Sequence, residues 1–380
     1  MELELNPETA TRAVVWGALL IGVLLGAAGQ ASRFCIRGAI ADWFVFRGRA
    51  RLMTWVLAVA VAALGSQVLI GLQVFDAERT LPWSERFVWA SYLVGGALFG
   101  YGMVLAAGCP QRSLVKAGSG NLKSLVTLLV AAVVAQMTLR GVLAEVRVQG
   151  LDTWSLQLGR PQDLGSLLAV LLPASAATLR WALLLAVLGI AGTWLWRARA
   201  SMKPVHWIGG VVVGALVPVC WWLTGQVGFI AEHPETLEAA WLGTQSRRPE
   251  ALSFTAPLAH VLDLLTFWTD QNTKASFGVL LTLGVVLGSF VTARLRGEFR
   301  VESFKTTDEL RGHLAGGALM GFGGVTALGC SLGQGLTGLA MLSAGACLAV
   351  AGIVAGAFAA LNVQAMRVGR RSGASLATTC

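Results

Sequence analysis

Charge is what this chain has least of: Asp, Glu, Lys and Arg make up 13% of its 380 residues, about half the share in an average soluble domain. Set beside 55% hydrophobic residues, that scarcity excludes an ordinary soluble domain and marks an integral membrane protein. The net charge of +9 does not point to nucleic acid, because the Lys and Arg residues cluster in short loops between apolar runs, as the positive-inside rule expects. No Walker-type loop ending in Gly-Lys-Ser/Thr occurs, so the chain does not itself drive transport with ATP. No span holds a clear Asp or Glu, which argues against a carboxylate relay for protons or sodium. A basic leader is missing too: Glu2, Glu4 and Glu8 precede the first apolar run, which reads as a retained span and not as a signal peptide. The six cysteines lack the spacing of a disulfide framework or a zinc site, and no metal or other cofactor is expected.

What the chain does have is long apolar runs. A helix needs roughly 20 residues to cross the hydrocarbon, and nine runs qualify, near 13–29, 52–74, 87–108, 122–142, 179–196, 207–230, 277–293, 313–328 and 336–362. The expected fold class is an all-α integral membrane protein of about nine transmembrane helices, with short re-entrant or interfacial helices in the loops 150–177 and 231–275. Arg33, Arg37, Arg47, Arg49 and Arg51, then Arg112, Lys116 and Lys123, then Arg197, Arg199 and Lys203 all fall on one side if every run crosses once. The basic residues after the seventh run, and Arg367, Arg370 and Arg371, join them. That puts the N-terminus outside and the C-terminus in the cytoplasm.

One fifteen-residue stretch occurs twice, at 95–109 and 316–330, with ten identical positions and a shared Gly-Cys ending. In the nine-span topology the copies run antiparallel, the mark of an inverted-topology repeat. Residues 1–178 (spans one to four) and 207–380 (spans six to nine) are the expected halves, with a connector span at 179–206. An outer match is looser: Arg33-Phe-Cys-Ile-Arg37 after the first span is set against Gly297-Glu-Phe-Arg300 after the seventh.

Gly96 and Gly100, like Gly317 and Gly321, make a face small enough for close helix approach. Gly108 suits a left-handed helix end and Pro110 the first position of a new helix, so Cys109 stands at a break. Amides of Gln111, Arg112 and Ser113 would then face the gap, an anion site of the kind transporters build at broken helices. Gly329 and Cys330 repeat the arrangement, with Ser331 as a cap and Gln334 close by. Cys35 opens a third short helix, with Ser32 as its expected N-cap and Arg33 and Arg37 on its flanks. Cys220 and Cys347 read as packing residues, and Cys380 as a free tail thiol. Neutral thiols are weak donors and polarizable acceptors, suited to a soft, anionic small molecule. Gln30, Gln67, Gln136, Thr138, Thr224, Gln226, Gln334 and Asn362 are candidates for lining a path.

These motifs resemble the YeeE/YedE family of bacterial inner-membrane sulfur-compound transporters: Gly100 to Cys109, the second copy ending in Gly329-Cys330, and Arg33-Phe-Cys35. The second copy departs from the first in having Thr326 where Leu105 stands. The resemblance implies an inner-membrane transporter for uptake of thiosulfate or a related sulfur oxyanion, and not an enzyme. Cys35, Cys109 and Cys330 would serve as successive stations. It also implies a cytoplasmic sulfur carrier of TusA-like or rhodanese-like type. Three other readings stay open: a membrane sulfurtransferase-like protein forming a cysteine persulfide, a transporter of a selenium compound, and a scaffold in which the cysteines merely pack.

Overall fold

A computed structural model describes residues 6–46, 48–233, 237–270 and 273–377. Glu2, Glu4, Arg47 and Cys380 lie outside the described residues. The chain folds into helices α1 (Pro7–Ser32), α2 (Ile36–Ala41), α3 (Ala50–Gly71), α4 (Trp89–Leu105), α5 (Pro110–Gly118), α6 (Leu122–Leu139), α7 (Val142–Glu145), α8 (Leu164–Leu168), α9 (Ala176–Ala198), α10 (Pro204–Trp222), α11 (Thr255–Thr266), α12 (Phe277–Leu295), α13 (Thr307–Thr326) and α14 (Ala344–Ala377). The described strands are two-residue pairs in the connections: Arg86–Phe87 with Leu156–Gln157, and Phe229–Ile230 with Ala240–Trp241.

Among the described residues, eight helices are long and apolar enough to cross a membrane. The remaining expected span, the eighth in chain order, is α13, a helix of 20 residues. Its opening turns carry Asp308, Glu309, Arg311 and His313, which keep it from matching the others in apolar length. The loop 150–177 holds α8 and part of a strand pair, and 231–275 holds α11, which packs into the bundle against α6 and α12. The polar starts are capped as expected of helix N-termini. Asn121 Oδ1 accepts from Ser124 N–H at 2.9 Å and opens α6, and Thr306 Oγ1 accepts from Glu309 N–H at 3.2 Å and opens α13.

The packing is doubled. α1 lies along α12 as α10 lies along α3; α4 lies against α14 as α13 lies against α6; α2 touches α3 and α14 as α11 touches α12 and α6. α4 and α13 run antiparallel side by side. A Cβ added at Gly95 would fall 2.6 Å from Ala327 N, and one at Gly316 would fall 2.7 Å from Ala106 N. The glycines singled out from the sequence serve a different contact. A Cβ at Gly96 would fall 2.5 Å from Ala349 O of α14, and one at Gly321 would fall 2.6 Å from Ala131 O of α6. Each central helix thus has two glycine faces, one for its counterpart and one for a flanking helix, and backbones meet with no side chains between. Helix α9 is peripheral, with most of its side chains exposed, including Trp181, Leu185, Ile190 and Trp194.

The outer sequence match fails. Residues 297–302 run beside the α5–α6 turn, with Arg300 N–H on Ser119 O at 3.1 Å and Leu122 N–H on Glu302 O at 2.9 Å. They do not open an embedded helix as Cys35 does.

Candidate functional site

Three helices stop inside the bundle shortly before a cysteine, α1 three residues before Cys35, and α4 and α13 four residues before Cys109 and Cys330. α4 ends at Leu105, Ala107 takes a left-handed conformation (φ 55°), and Gly108 N–H closes back on Met103 O at 3.0 Å. α13 repeats this: it ends at Thr326, Leu328 is left-handed (φ 56°), and Gly329 N–H reaches Gly324 O at 2.9 Å. Both are Schellman-type closures. They correct the expectation for Gly108: the left-handed residue is the one before it, and a side-chain-bearing residue in that conformation costs about 1–2 kcal/mol that the surrounding packing must offset. α1 ends at Ser32 with Arg33 left-handed (φ 53°).

Each cysteine then begins a new segment. Cys35 itself is the N-cap of α2, its Sγ accepting from Gly38 N–H at 3.4 Å. Ser32 is not the cap: it is the last residue of α1, and its hydroxyl donates back to Ala28 O at 2.6 Å. Cys330 Sγ accepts from Gly333 N–H at the same offset and distance, 3.4 Å, and opens the wide turn Gly333–Gly338. Ser331 leaves that capping to the thiol. Cys109 is the N-cap of α5 with Pro110 in the first turn, as expected; its thiol faces the Arg112 amide without closing a cap bond.

The breaks meet. The Cys109 thiol lies between the Cys35 thiol and the Ser331 hydroxyl. Cys109 and Cys330 are fully buried and Cys35 is half-buried. All three are free thiols. Around them stands a set of buried polar atoms that close no hydrogen bond: Gln111 Oε1 and Nε2, Ser113 Oγ, Ser331 Oγ and Thr326 Oγ1. Each such atom costs about 1–3 kcal/mol if left dry. Such a cluster is suited to a polar ligand. Gln334 is the exception, its amide donating to Ala327 O at 2.7 Å and bracing the α13 break.

On one side the site meets cations. Arg112 Nη1 donates to Gly29 O at 3.2 Å, and Lys116 Nζ donates to Ala107 O at 2.7 Å, the carbonyl of the left-handed residue. Arg33 and Arg51 lie within electrostatic range of Arg112, and Arg37 within range of Lys116. Arg33 is exposed and Arg37 half-buried. On the opposite side a cavity of about 380 Å³ has its floor at Leu328, Gly329, Gly333 and Gln334. Its walls come from Trp221, Phe277 and α11, and Arg140, Arg248 and Glu250 also line it. Burial pushes the Glu250 carboxyl above the usual carboxylate range.

Sequence reasoning missed this cavity, because much of its wall comes from the irregular segment 245–254, where no periodicity points inward. It also missed Asp263, buried on α11, which accepts from the Gln136 amide and lies 3.7 Å from Arg140 and 3.6 Å from His260. That carboxylate sits outside the nine expected spans, so the absence of acidic residues from those runs did not predict it. Of the proposed path-lining polar residues, Gln226 and Asn362 are exposed, while Gln30 donates to Glu298 Oε2 at 2.7 Å and Gln67 to Ala340 O at 3.2 Å. Thr138 and Thr224 bond backbone carbonyls. They serve the frame.

The family described as sulphur transport matches residues 31–359. The thiosulfate transporter TsuA of Escherichia coli (strain K12) is 29% identical over 344 residues, covering 87% of this chain and 89% of the relative. The thiosulfate transporter TsuA of Spirochaeta thermophila is 26% identical over 349 residues, covering 88% and 94%.

Proposed function

The chain belongs to the sulphur transport family, and from that premise we propose that it carries thiosulfate, or a closely related sulfur oxyanion, inward across the bacterial inner membrane. The observation that carries this reading is the meeting of the Cys35 and Cys109 thiols with Ser331, the neighbour of Cys330, where three helix breaks converge among buried polar atoms without partners. An anion entering the 380 Å³ cavity reaches the Cys330 break first. There, thiol S–H groups and hydroxyls donate to it, and the amides at the openings of α2 and α5 add positive dipole ends. Cys109 hands it toward Cys35, where Arg112 and Lys116 offset the cost of holding negative charge in a dry interior. Cys35, half exposed, is the last station.

Under this reading residues 1–178 and 207–380 are inverted halves joined by the connector 179–206. The basic face is cytoplasmic, the cavity opens to the periplasm, and the N-terminus lies on the cavity's side. The thiols act by hydrogen bonding and not as nucleophiles, so the protein is a transporter without catalytic residues. A TusA-like or rhodanese-like carrier would meet the cargo at the basic face.

Cys109→Ala and Cys330→Ala should each abolish thiosulfate-dependent growth and uptake into proteoliposomes while the protein still reaches the membrane; normal uptake by both variants overturns the proposal. The neighbouring Cys35 and Cys109 thiols make the persulfide reading worth its own test. Mass spectrometry after thiosulfate exposure should find no added sulfur on any of the three, and an adduct would favour sulfur transfer.

A further inference from the structure

The doubled packing assigns each embedded element a counterpart, and one counterpart carries a different chemistry. α2 packs on α3 and α14, and α11 packs on α12 and α6, so α11 occupies in one half the place that α2 holds in the other. The short helix α2 opens at Phe34-Cys35, both preceding its first residue; α11 opens at Phe254-Thr255. Both phenylalanines are buried. With the two phenylalanines aligned, Thr255, the first residue of α11, stands against Cys35, the N-cap of α2, a hydroxyl where the other half has a thiol.

We infer that Thr255 is a fourth station of the path, a binding residue that takes a sulfonate-type oxygen of the anion on the cavity side of Cys330. This rests on the transport reading above and adds a residue and an orientation to it. Thr255 is 2% exposed, and its Oγ1 closes no hydrogen bond. α11 has 12 residues and no side-chain cap, which leaves the amides of Thr255 and Ala256 uncapped by any side chain, Pro257 having none. Oγ1 lies over Gly324: a Cβ built there would fall 2.5 Å from it, and Gly324 lines the cavity. The segment leading to Thr255 borders the Cys330 break, since Thr337 Oγ1 donates to Leu252 O at 3.0 Å and a Cβ at Gly333 would fall 2.9 Å from Ser253 Oγ. Thr326 Oγ1 is a second buried hydroxyl without a partner, on the helix that ends in this break.

The exchange of sulfur for oxygen has a chemical direction. A hydroxyl is a hard, short-reaching donor that matches a charged oxygen, whereas the thiols are soft and match a terminal sulfur. An anion bearing both ends is therefore oriented as it enters, oxygens toward Thr255 and sulfur toward Cys330. Sulfate, which has no soft end, gains from Thr255 and less from the thiols than an anion with a terminal sulfur.

Uptake of labelled thiosulfate by the full chain in proteoliposomes tests this. Thr255→Val, nearly isosteric, should raise KM by at least about tenfold, the loss expected when a hydrogen bond to a charged group is removed. Thr255→Ser should restore uptake to within about threefold of the parent, because the donor returns. Thr255→Val should also leave unchanged the thermal melting of the protein without thiosulfate, and should reduce the stabilisation that thiosulfate gives. Unchanged KM in Thr255→Val, or equal impairment of the Ser and Val variants, overturns the inference. Should Thr255→Val not reach the membrane, Thr255→Ala and Thr255→Cys replace it; uptake must be lost in the first and kept in the second, and equal uptake overturns the inference. If the parent protein itself moves no thiosulfate, the transport reading fails and not this assignment alone.

Discussion

The two copies of the repeated stretch fold alike up to their cysteines and diverge immediately after. Both end in a left-handed non-glycine residue, a Schellman-type closure and a Gly-Cys pair. Beyond Cys109 the chain makes nine residues of regular helix carrying Arg112 and Lys116; beyond Cys330 it makes a wide six-residue turn, Gly333–Gly338, with no charged side chain. The scaffold is duplicated and the charge is not. A symmetric frame with cations on one side gives an anion the same kind of seat twice and a downhill preference in one direction.

The sharpest way to break the comparison is to attack what the copies share. Gly96→Val should prevent stable folding, because its Cβ would meet Ala349 O at 2.5 Å with no side chain able to yield; Gly108→Ala, whose nearest contact is Ser113 Oγ at 3.4 Å, should fold. Membrane abundance and melting of the two variants check this, and equal loss would mean the repeat is more than a packing device. Next in size is the removal of the cations. Arg112→Gln with Lys116→Gln should lower uptake by about tenfold or more at low ionic strength and less at high salt, since screening weakens what remains of the field. An unaltered rate would make the charge asymmetry incidental.

The smallest expected effects concern the two faces and carry opposite signs. Burial raises the Glu250 carboxyl, so the folded state prefers it protonated and stability falls as pH rises through its folded value. Glu250→Gln should therefore raise the melting temperature at pH 8, with a gain that shrinks as pH drops from the raised folded value toward the ordinary carboxylate range. On the basic face, Lys123 Nζ donates to Glu309 Oε1 at 2.6 Å and holds that carboxyl below its usual range. The pair contributes stability above the unfolded carboxylate value and loses it as pH falls. Glu309→Gln should lower the melting temperature slightly at neutral pH and leave it unchanged in acid. Parallel pH trends for both variants would contradict the assignment.

The thiol breaks were legible in the sequence because glycine, proline and cysteine punctuate long apolar runs, and the antiparallel arrangement followed from loop charge. Position within a break was harder to read. Glycine is the usual left-handed residue, so Gly108 drew the assignment that Ala107 holds, and Ser32, next to Cys35, drew the cap that the sulfur itself supplies. Thr255 carried no signal, since the start of α11 shares only a phenylalanine with the start of α2. The cavity wall at 245–254 has no period to read. Helix α13 was read as the apolar run 313–328, which left out its charged opening turns at Asp308, Glu309 and Arg311.

The seam between α4 and α13 has a kinetic consequence. Main chains that touch through glycine have no rotamers to rearrange, so local opening of that seam requires separating two helices at once. Amide hydrogens of residues 95–103 and 316–324 should therefore exchange among the slowest in the chain, with or without thiosulfate, while those following Cys109 and Cys330 slow when thiosulfate is added. Slowing confined to the seam would mean that the cargo works by moving the frame.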